Sequence, residues 1–324
     1  MATLETHESR DIDDQAKSLT GWEQSYEQLG RGRFRGSVWQ LVMRDGVLLR
    51  ETNNRQHRQQ VVPPHGHVVL AMALAVDPGS AFDGRPLGRD SLMVFNSLTQ
   101  HDVISAGEID LIGVSVDSAL LETALAPEKL EWLEHKALEH NVDLPPETAA
   151  AIRLMLLAVC NDVGQGQGLE RLDVLKQERE LLSSTLSHAV ILAMAAEQGG
   201  SPSTIPRRAE TRLKITKRAV EFMRAHLEDD IGVPEICAAA FASRRTLHYC
   251  FEEFMHTTPQ AYLRALRLNQ ARRALKARAD LPITELACTL GFATASHFTR
   301  HYKLMFDELP SETLKLYCNG PLAG

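Results

Sequence analysis

The spacing of apolar residues divides the chain into two parts with different periodicities. Between residues 33 and 116, short apolar segments alternate with turn signals such as Asp45-Gly46 and Asp77-Pro78-Gly79. This pattern is typical of antiparallel strands. The predicted strands are Ser37–Met43, Val47–Glu51, Val68–Val76, Ser91–Phe95 and Ile109–Val116. They predict a cupin-like sheet that closes into a small barrel or folds into a sandwich, with a pocket for a small ligand.

After Asp117 the apolar residues recur at helical spacing. Two short helices are predicted at residues 118–125 and 127–139, and two longer amphipathic helices at residues 145–163 and 169–197. Since a Gly-rich loop joins the longer pair, we expect an antiparallel helical hairpin with one apolar seam. The seam either packs on the sheet of its own chain or also pairs with a second subunit.

The ends of this region set the predicted domain boundaries. Residues 1–17 are polar and aperiodic, which indicates a disordered tail, and a short helix is expected near residues 21–29. Residues 199–210 begin Gly-Gly-Ser-Pro-Ser, a composition that favours a linker. The chain is therefore predicted to contain an effector-sensing and dimerisation domain at residues 18–198 and a helical domain at residues 211–318, an α+β two-domain architecture.

The helical region contains an internal repeat. Residues 234–251 and 283–302 each show a short helix, a tight turn, a capping residue and a second helix. Leu247 and Phe298 stand at matching positions, 51 residues apart. The apolar stripe of each second helix is Leu247, Phe251 and Phe254 in the first copy, and Phe298, Tyr302 and Met305 in the second. The repeat predicts two helix-turn-helix motifs.

A long helix at residues 259–277 connects the two motifs. A helix of this length spans about 28 Å, so it can hold two reading helices about one DNA turn, ~34 Å, apart. Its predicted exposed face carries the basic residues Arg264, Arg267, Arg272, Arg273 and Lys276.

Several motifs of this region follow one another in a fixed order. They are Ser243-Arg-Arg-Thr-Leu247, Pro259-x-x-Tyr-Leu263, Arg267-Leu-Asn-x-Ala-Arg-Arg-x-Leu275, Ile283-x-x-x-Ala287, Gly291-Phe292, Ser296-x-Phe-x-Arg300 and Phe306-x-x-x-Pro310. Together they resemble the DNA-binding domain of the AraC/XylS family of bacterial transcription regulators, over about a third of the chain. The sequence departs from the family at Phe241 and His256, where glycine is usual, and at Leu314, where arginine is usual.

The resemblance and the helix geometry together indicate which side chains would contact DNA. The predicted residues are Arg244, Arg245, Thr246, His248 and Tyr249 in the first motif, Thr294, Ser296, His297, Thr299 and Arg300 in the second, and Arg272 and Arg273 on the long helix. Of these, the family's base-reading positions correspond to Arg245, His248 and Tyr249, and to Ser296, His297 and Arg300 together with Ala295. An arginine that binds guanine contributes about 1–3 kcal/mol of discrimination. The alternatives are phosphate contact, a solvated charge or, for Arg300, an ion pair with Glu285.

A second, local resemblance concerns the N-terminal part. Residues 18–29, followed by Gly-Arg-Phe-Arg-Gly at residues 32–36, are similar to the opening of regulators of ethanolamine utilisation operons. This resemblance implies a sensor of a small amine, with cobalamin as a further candidate ligand and no required cofactor. The candidate effector-binding residues are Trp39, Phe82 and Phe95, for which a place in the core is the alternative.

Charge is distributed unevenly along the chain. The net charge is −7 over 324 residues, but residues 207–324 hold 18 Lys and Arg against 13 Asp and Glu, while residues 1–206 hold 17 against 29. The acidic half argues against a general polyanion binder, whereas the basic half can approach phosphates.

The five scattered cysteines suit reduced thiols, and the N-terminus lacks a secretory pattern. A cytoplasmic protein that joins the nucleoid when bound to DNA is expected.

Catalytic and metal-binding motifs are weak or absent in the sequence. His65-Gly-His67 is half of a cupin-like metal site, but residues 68–76 contain no Asp, Glu or His. We therefore predict no catalytic residues, no metal and no enzyme activity.

By the AraC/XylS resemblance, the chain is expected to be a dimeric transcription regulator, an activator rather than a repressor, with promoter DNA, RNA polymerase and a small effector as partners. The alternatives are a cupin-like metal-binding enzyme or repair domain fused to a DNA-binding module, and an architectural DNA binder without an effector.

Overall fold

The computed structural model describes residues 2–139, 141–164, 175–197, 207–277 and 282–318. The chain separates into two compact units. The sheet domain comprises Met1–Tyr26, Arg35–Asn54 and Arg58–Thr204, and the helical domain comprises Glu27–Phe34, Arg55–His57 and Ile205–Gly324. No helix in the described ranges combines the length and apolarity that crossing a membrane requires.

Two sheets form the β-structure, and the larger one has seven strands. Their spatial order is β1 (Thr3–Ser9), β3 (Gly36–Met43), β4 (Gly46–Asn53), β11 (Ile109–Asp117), β6 (His67–Val76), β9 (Ser91–Asn96) and β12 (Asn141–Asp143). Each neighbouring pair in this order is antiparallel. The order of the smaller sheet is β2 (Glu23–Gln28), β5 (His57–Val62), β10 (His101–Ser105), β7 (Ala81–Phe82) and β8 (Arg85–Pro86). The sheets form a sandwich rather than a closed barrel, which confirms the predicted antiparallel fold class.

The N-terminal residues differ from the sequence-based expectation. Residues 3–9 form β1, which pairs along the whole of β3, and Asp11 caps the short helix α1 (Ile12–Gln15) by accepting a hydrogen bond from the Asp13 amide. Residues 23–28 form strand β2 instead of a helix. The predictions of a disordered tail and of a helix near residues 21–29 are wrong here. Strand β1 is held by main-chain bonds to its neighbour and leaves most of its side chains exposed, so it has little hydrophobic pattern to detect.

Four helices cover one face of the larger sheet. They are α2 (Ser118–Ala124), α3 (Pro127–Glu139), α4 (Pro146–Gly164) and α5 (Leu175–Glu197). Ile152 of α4 and Leu186 and Val190 of α5 pack in one buried cluster with Ile112 and Val114 of β11. Helices α4 and α5 pack against each other, as the predicted hairpin requires. The Gly-rich loop between them lies outside the described residues, and pairing with a second subunit stays a prediction.

The helical domain contains seven helices within the described ranges. They are α6 (Arg207–Ala225), α7 (Val233–Ala240), α8 (Arg244–Met255), α9 (Pro259–Ala277), α10 (Ile283–Thr289), α11 (Ala295–Phe306) and α12 (Pro310–Cys318). Helix α9 has the predicted bounds of the connecting helix. Residues 207–210 belong to α6 and not to the predicted linker, because good helix formers begin directly after Pro206. The rest of that linker lies outside the described residues.

Segments from early in the chain belong to the helical domain. The Asn269 amide in the middle of α9 pairs with the backbone of Gln28, with Gln28 N donating to Asn269 Oδ1 (3.1 Å) and Asn269 Nδ2 donating to Gln28 O (2.8 Å). The Gln28 side chain donates to the Met305 carbonyl near the end of α11 (2.8 Å). These bonds explain why a helix interior buries an asparagine, since a buried amide must be hydrogen-bonded.

Candidate nucleic-acid interface

The first helix-turn-helix motif consists of α7 and α8. Its turn is made by Phe241, which adopts the left-handed conformation (φ 53°, ψ 46°) and donates its amide to the carbonyls of Cys237 and Ala238. Ser243 then caps α8 by accepting a hydrogen bond from the Thr246 amide (3.1 Å). Phe241 therefore occupies the glycine conformation that the family pattern implies, at a cost of about 1 kcal/mol.

The second motif consists of α10 and α11 and has the same plan with different residues. Gly291 adopts the left-handed conformation (φ 68°), and Thr294 caps α11 by accepting from the His297 amide (3.1 Å). A Cβ atom at residue 291 would lie 2.7 Å from Nη1 of Arg267, so this turn has no room for a side chain.

The apolar stripes of α8 and α11 determine which side chains face outward. Leu247, Phe251 and Phe254 are buried on α8, and Phe298, Tyr302 and Met305 are buried on α11, as predicted. Each reading helix is thus fixed by its core-facing side. The N-terminal part of its opposite side is presented to solvent, which is the placement that contact with bases in a groove requires.

The residues of α8 that are predicted to contact DNA differ in how exposed their side chains are. Arg244, Arg245 and Tyr249 are exposed, while Thr246 and His248 are half-buried. The Tyr249 ring lies 5.5 Å from the guanidinium carbon of Arg212, which is itself held by Glu253 (2.6 Å). In the part of the chain that the structure describes, neither Arg244 nor Arg245 has an ion-pair partner. Both guanidinium groups are therefore available to bases or phosphates.

On α11, Ser296, His297 and Arg300 are exposed, while Ala295 and Thr299 are half-buried. Thr294 is also exposed, but its hydroxyl serves as the helix cap. Within the described ranges Arg300 has no ion-pair partner, so the alternative of a pair with Glu285 is not realised. His297 and His301 bring their Nε2 atoms to 3.0 Å on the exposed side of the helix.

A positive potential surrounds the exposed end of this second motif. The pKa of His301 is lowered to about 4, mainly by burial and in addition by the neighbouring side chains of Arg264, His297, Arg300 and Arg31. His301 is therefore neutral near pH 7, and the surrounding arginines supply charge that attracts phosphate. Arg31 was not among the predicted residues. The basic run Arg31-Gly-Arg-Phe-Arg35 is the signal that could have indicated it.

The structure contradicts the prediction that Arg272 contacts DNA. It is buried, forms an ion pair with Glu308 (2.6 Å) and places its guanidinium carbon 4.7 Å from the centre of the Phe306 ring. Arg267 is likewise buried and donates to the carbonyls of Leu227 and Asp229. The predicted exposed face of α9 is mostly interior because neighbouring helices pack around it. Arg273 remains half-buried on α9 and stays a predicted phosphate contact.

The predicted effector-binding residues do not form one site. Phe82 and Phe95 are buried between the two sheets with ring centres 4.6 Å apart, while half-buried Trp39 packs against the helix-covered core on the other side of the larger sheet. His67 pairs with Ser115 through Nδ1 (3.0 Å). Among the described residues, no three His, Cys, Asp or Glu side chains are grouped so that they could hold a metal ion.

The chain is similar to a helix-turn-helix family model and to known transcription regulators. A family model described as a helix-turn-helix domain matches residues 236–316. The XylDLEGF operon transcriptional activator of Pseudomonas putida is 25% identical over 237 residues, which cover 69% of this chain and 66% of the relative. The transcriptional regulator GbdR of Pseudomonas aeruginosa is 34% identical over 93 residues, 29% of this chain and 25% of the relative.

Among solved structures, an AraC-type transcriptional regulator from Chromobacterium violaceum shares 28% identity with a TM-score of 0.31, over 33% of this chain and 94% of that one. The chain spans just under two thirds of the length of the first relative and a quarter of the second. These relatives are named as transcription regulators, not as enzymes. The residues that match the family model coincide with the two motifs built around α9, so this part of the helical domain is similar to a helix-turn-helix domain.

Proposed function

We propose that this protein is a sequence-specific DNA-binding transcription regulator, an activator of a catabolic operon, that acts as a homodimer in the bacterial cytoplasm and contacts RNA polymerase. The observation that carries the proposal is the pair of capped reading helices whose exposed sides present Arg245 and Arg300. The guanidinium group of each arginine presents two parallel N–H donors, which can bind the edge of guanine in the major groove. The named activity of the Pseudomonas putida relative supports activation.

The sheet domain is proposed to bind a small effector. The local resemblance to regulators of ethanolamine utilisation makes an amine such as ethanolamine the first class to test, and cobalamin the second. Binding of the effector would shift the equilibrium between conformations with different affinities for DNA. The rival proposal of a cupin-like metal enzyme fused to a DNA-binding module predicts stoichiometric metal in the purified protein, which elemental analysis would detect.

Selection of binding sites from a random pool of duplex DNA tests the proposal directly. We expect the full-length protein to enrich one motif, and Arg245→Ala to lower affinity for the selected duplex by about 1–3 kcal/mol while relaxing the preference at one base pair. Arg300→Ala should do the same at a different base pair. Arg273→Ala, if it meets phosphate, should weaken all sequences alike. Failure of the wild-type protein to enrich any motif would refute the proposal.

A further inference from the structure

The interior of the sandwich is polar at one end, around Glu51 of β4. This carboxylate is only 2% exposed. Its Oε1 accepts hydrogen bonds from Gln15 Nε2 (3.0 Å), Tyr26 Oη (2.7 Å) and Asn53 Nδ2 (3.3 Å), and its Oε2 accepts from Gln59 Nε2 (3.4 Å). Gln59 Nε2 also donates to Tyr26 Oη (2.6 Å). Gln24 lies two residues before Tyr26 on β2, so the two side chains are on the same face of the strand. We call Gln15, Gln24, Tyr26, Glu51 and Gln59 the Glu51 cluster.

All the hydrogen-bond donors to Glu51 are neutral. The described part of the chain provides no ion pair for this carboxylate, although arginines nearby in sequence are paired elsewhere, as Arg50 is with Asp110 and Arg58 with Asp102. A buried charge without a counter-charge is costly, and its usual partner is a cation. Burial accordingly raises the pKa of Glu51, and the hydrogen bonds from its neighbours offset part of that increase.

The same cluster contains polar atoms without hydrogen-bond partners. The amide oxygens of Gln15, Gln24 and Gln59 are buried and accept no hydrogen bond, and Gln15 and Gln59 are 0% and 4% exposed. The cluster also contains one buried unpaired donor, Gln24 Nε2. Buried polar groups in native proteins are nearly always satisfied. The unpaired amide oxygens near the Glu51 carboxylate would be satisfied by a positively charged hydrogen-bond donor. The unpaired Gln24 Nε2 would be satisfied by a small acceptor such as a hydroxyl group.

A surface cleft lies next to Asn53, which donates a hydrogen bond to Glu51. The cleft has a volume of about 690 Å³, and its lining includes Ser9, Gly36 and Asn53. A Cβ atom on Gly36 would lie 2.7 Å from the Oε1 atom of Gln15 and 2.8 Å from the Oδ1 atom of Asn53. The Gly36 backbone, which lines the cleft, therefore packs directly against the amides of Gln15 and Asn53 at the polar end of the interior.

We propose that the Glu51 cluster binds a small organic ammonium ion that also carries a hydroxyl group, with the ammonium paired to Glu51. The ammonium would donate to the carboxylate and to the unpaired amide oxygens of Gln15 and Gln59. The hydroxyl would accept from the unpaired Nε2 of Gln24. This inference rests on the proposed sensing role of the sheet domain and assigns that role a site and a ligand class.

Calorimetric titration of the full-length protein with ethanolamine and ethylamine tests the assignment, with ethylene glycol as the neutral counterpart. We expect both amines to bind, ethanolamine more tightly, and ethylene glycol to give no signal. Glu51→Gln keeps the shape and removes the charge, so it should weaken ethanolamine binding by about 30-fold or more. Glu23→Gln, an exposed change on β2, is the matched control and should leave the dissociation constant unchanged.

Gln59→Leu provides a second variant in case Glu51→Gln does not fold, and it should also weaken ethanolamine binding because it removes an unpaired acceptor. Far-ultraviolet circular dichroism checks the fold of each variant. No binding of either amine, equal binding of ethylene glycol, or undiminished binding by folded variants would each overturn the assignment. Affinity of the wild-type protein for its selected duplex is measured separately. If that affinity is normal while the amines fail, only the ligand assignment is rejected, whereas a protein that selects no duplex contradicts the regulator function itself.

Discussion

The two helix-turn-helix motifs have the same backbone plan but use different residues to make the turn. In the first, Phe241 holds the left-handed position with its side chain 81% exposed and the guanidinium carbon of Arg218 5.3 Å from its ring centre. In the second, Gly291 holds that position with the Arg267 guanidinium packed against it. Backbone conformation alone therefore does not decide where glycine is needed. A side chain is tolerated where it can point into solvent and excluded where another group fills the space.

The motifs also differ in how their cores are built. The first core is apolar around Leu247, Phe251 and Phe254, whereas the second includes buried Arg272, which lies beside Phe306 and is paired with half-buried Glu308. Burial of an ion pair makes the second motif sensitive to the loss of either partner, because the remaining charge is left without compensation. The second motif is therefore expected to be the more easily disrupted.

The largest effect is expected from Arg272→Ala. Removing the guanidinium leaves the Glu308 carboxylate without its ion-pair partner and opens a gap beside Phe306, so the free energy of unfolding should fall by about 3 kcal/mol. Urea denaturation of the full-length protein, followed by circular dichroism, measures the change. Arg300→Ala removes an exposed arginine from the same motif and should cost less than about 0.5 kcal/mol. Equal effects of the two substitutions would contradict the burial of Arg272.

A smaller loss is expected from Gly291→Ala in the second turn. The methyl group would require a left-handed alanine and displacement of Arg267, at a combined cost of about 2 kcal/mol. The same urea titration measures the loss of stability. A neutral outcome would mean that the second turn is as open as the first and would remove the contrast between them.

Phe241→Gly should have the opposite sign. Glycine adopts the left-handed conformation without strain, so the first motif should gain about 0.5–1 kcal/mol of stability. Phe241→Ala is the matched control, since it removes the ring and keeps the strained backbone. Stabilisation by alanine equal to that by glycine would show that the exposed ring, not the backbone, is the source of the cost.

The last prediction concerns pH and His301 of the second motif. The pKa of His301 is lowered to about 4 because of burial and, to a smaller extent, the neighbouring side chains of Arg264, His297, Arg300 and Arg31. The unfolded chain then binds a proton at a higher pH than the folded chain, so stability is full above about pH 6.5 and declines as pH falls towards 4. His301→Gln should reduce this decline, measured as the melting temperature across that range, and buried His57, whose pKa is also lowered to about 4, should account for a further part of it. A decline unchanged by His301→Gln would contradict the lowered pKa of His301.

Hydrophobic spacing was enough to predict both motifs, because each reading helix has a buried stripe at helical period. Spacing could not place Arg272, since its burial depends on Glu308, 36 residues later in the chain. The Glu51 cluster was missed for a related reason. Gln24, Glu51 and Gln59 occupy inward-facing strand positions, where polar residues look like the solvent side of an alternating pattern until the partner sheet is known.

Binding to duplexes with altered spacing tests most directly whether the two motifs joined by α9 read successive major grooves together. The wild-type protein would be titrated with its selected duplex and with a derivative of that duplex. The derivative carries an insertion of half a helical turn, about 5 base pairs, between the DNA segment contacted by α8 and the segment contacted by α11. We predict a loss of at least ~10-fold in affinity, because one reading helix then meets the wrong face of the DNA. Unchanged affinity for the derivative would contradict the account.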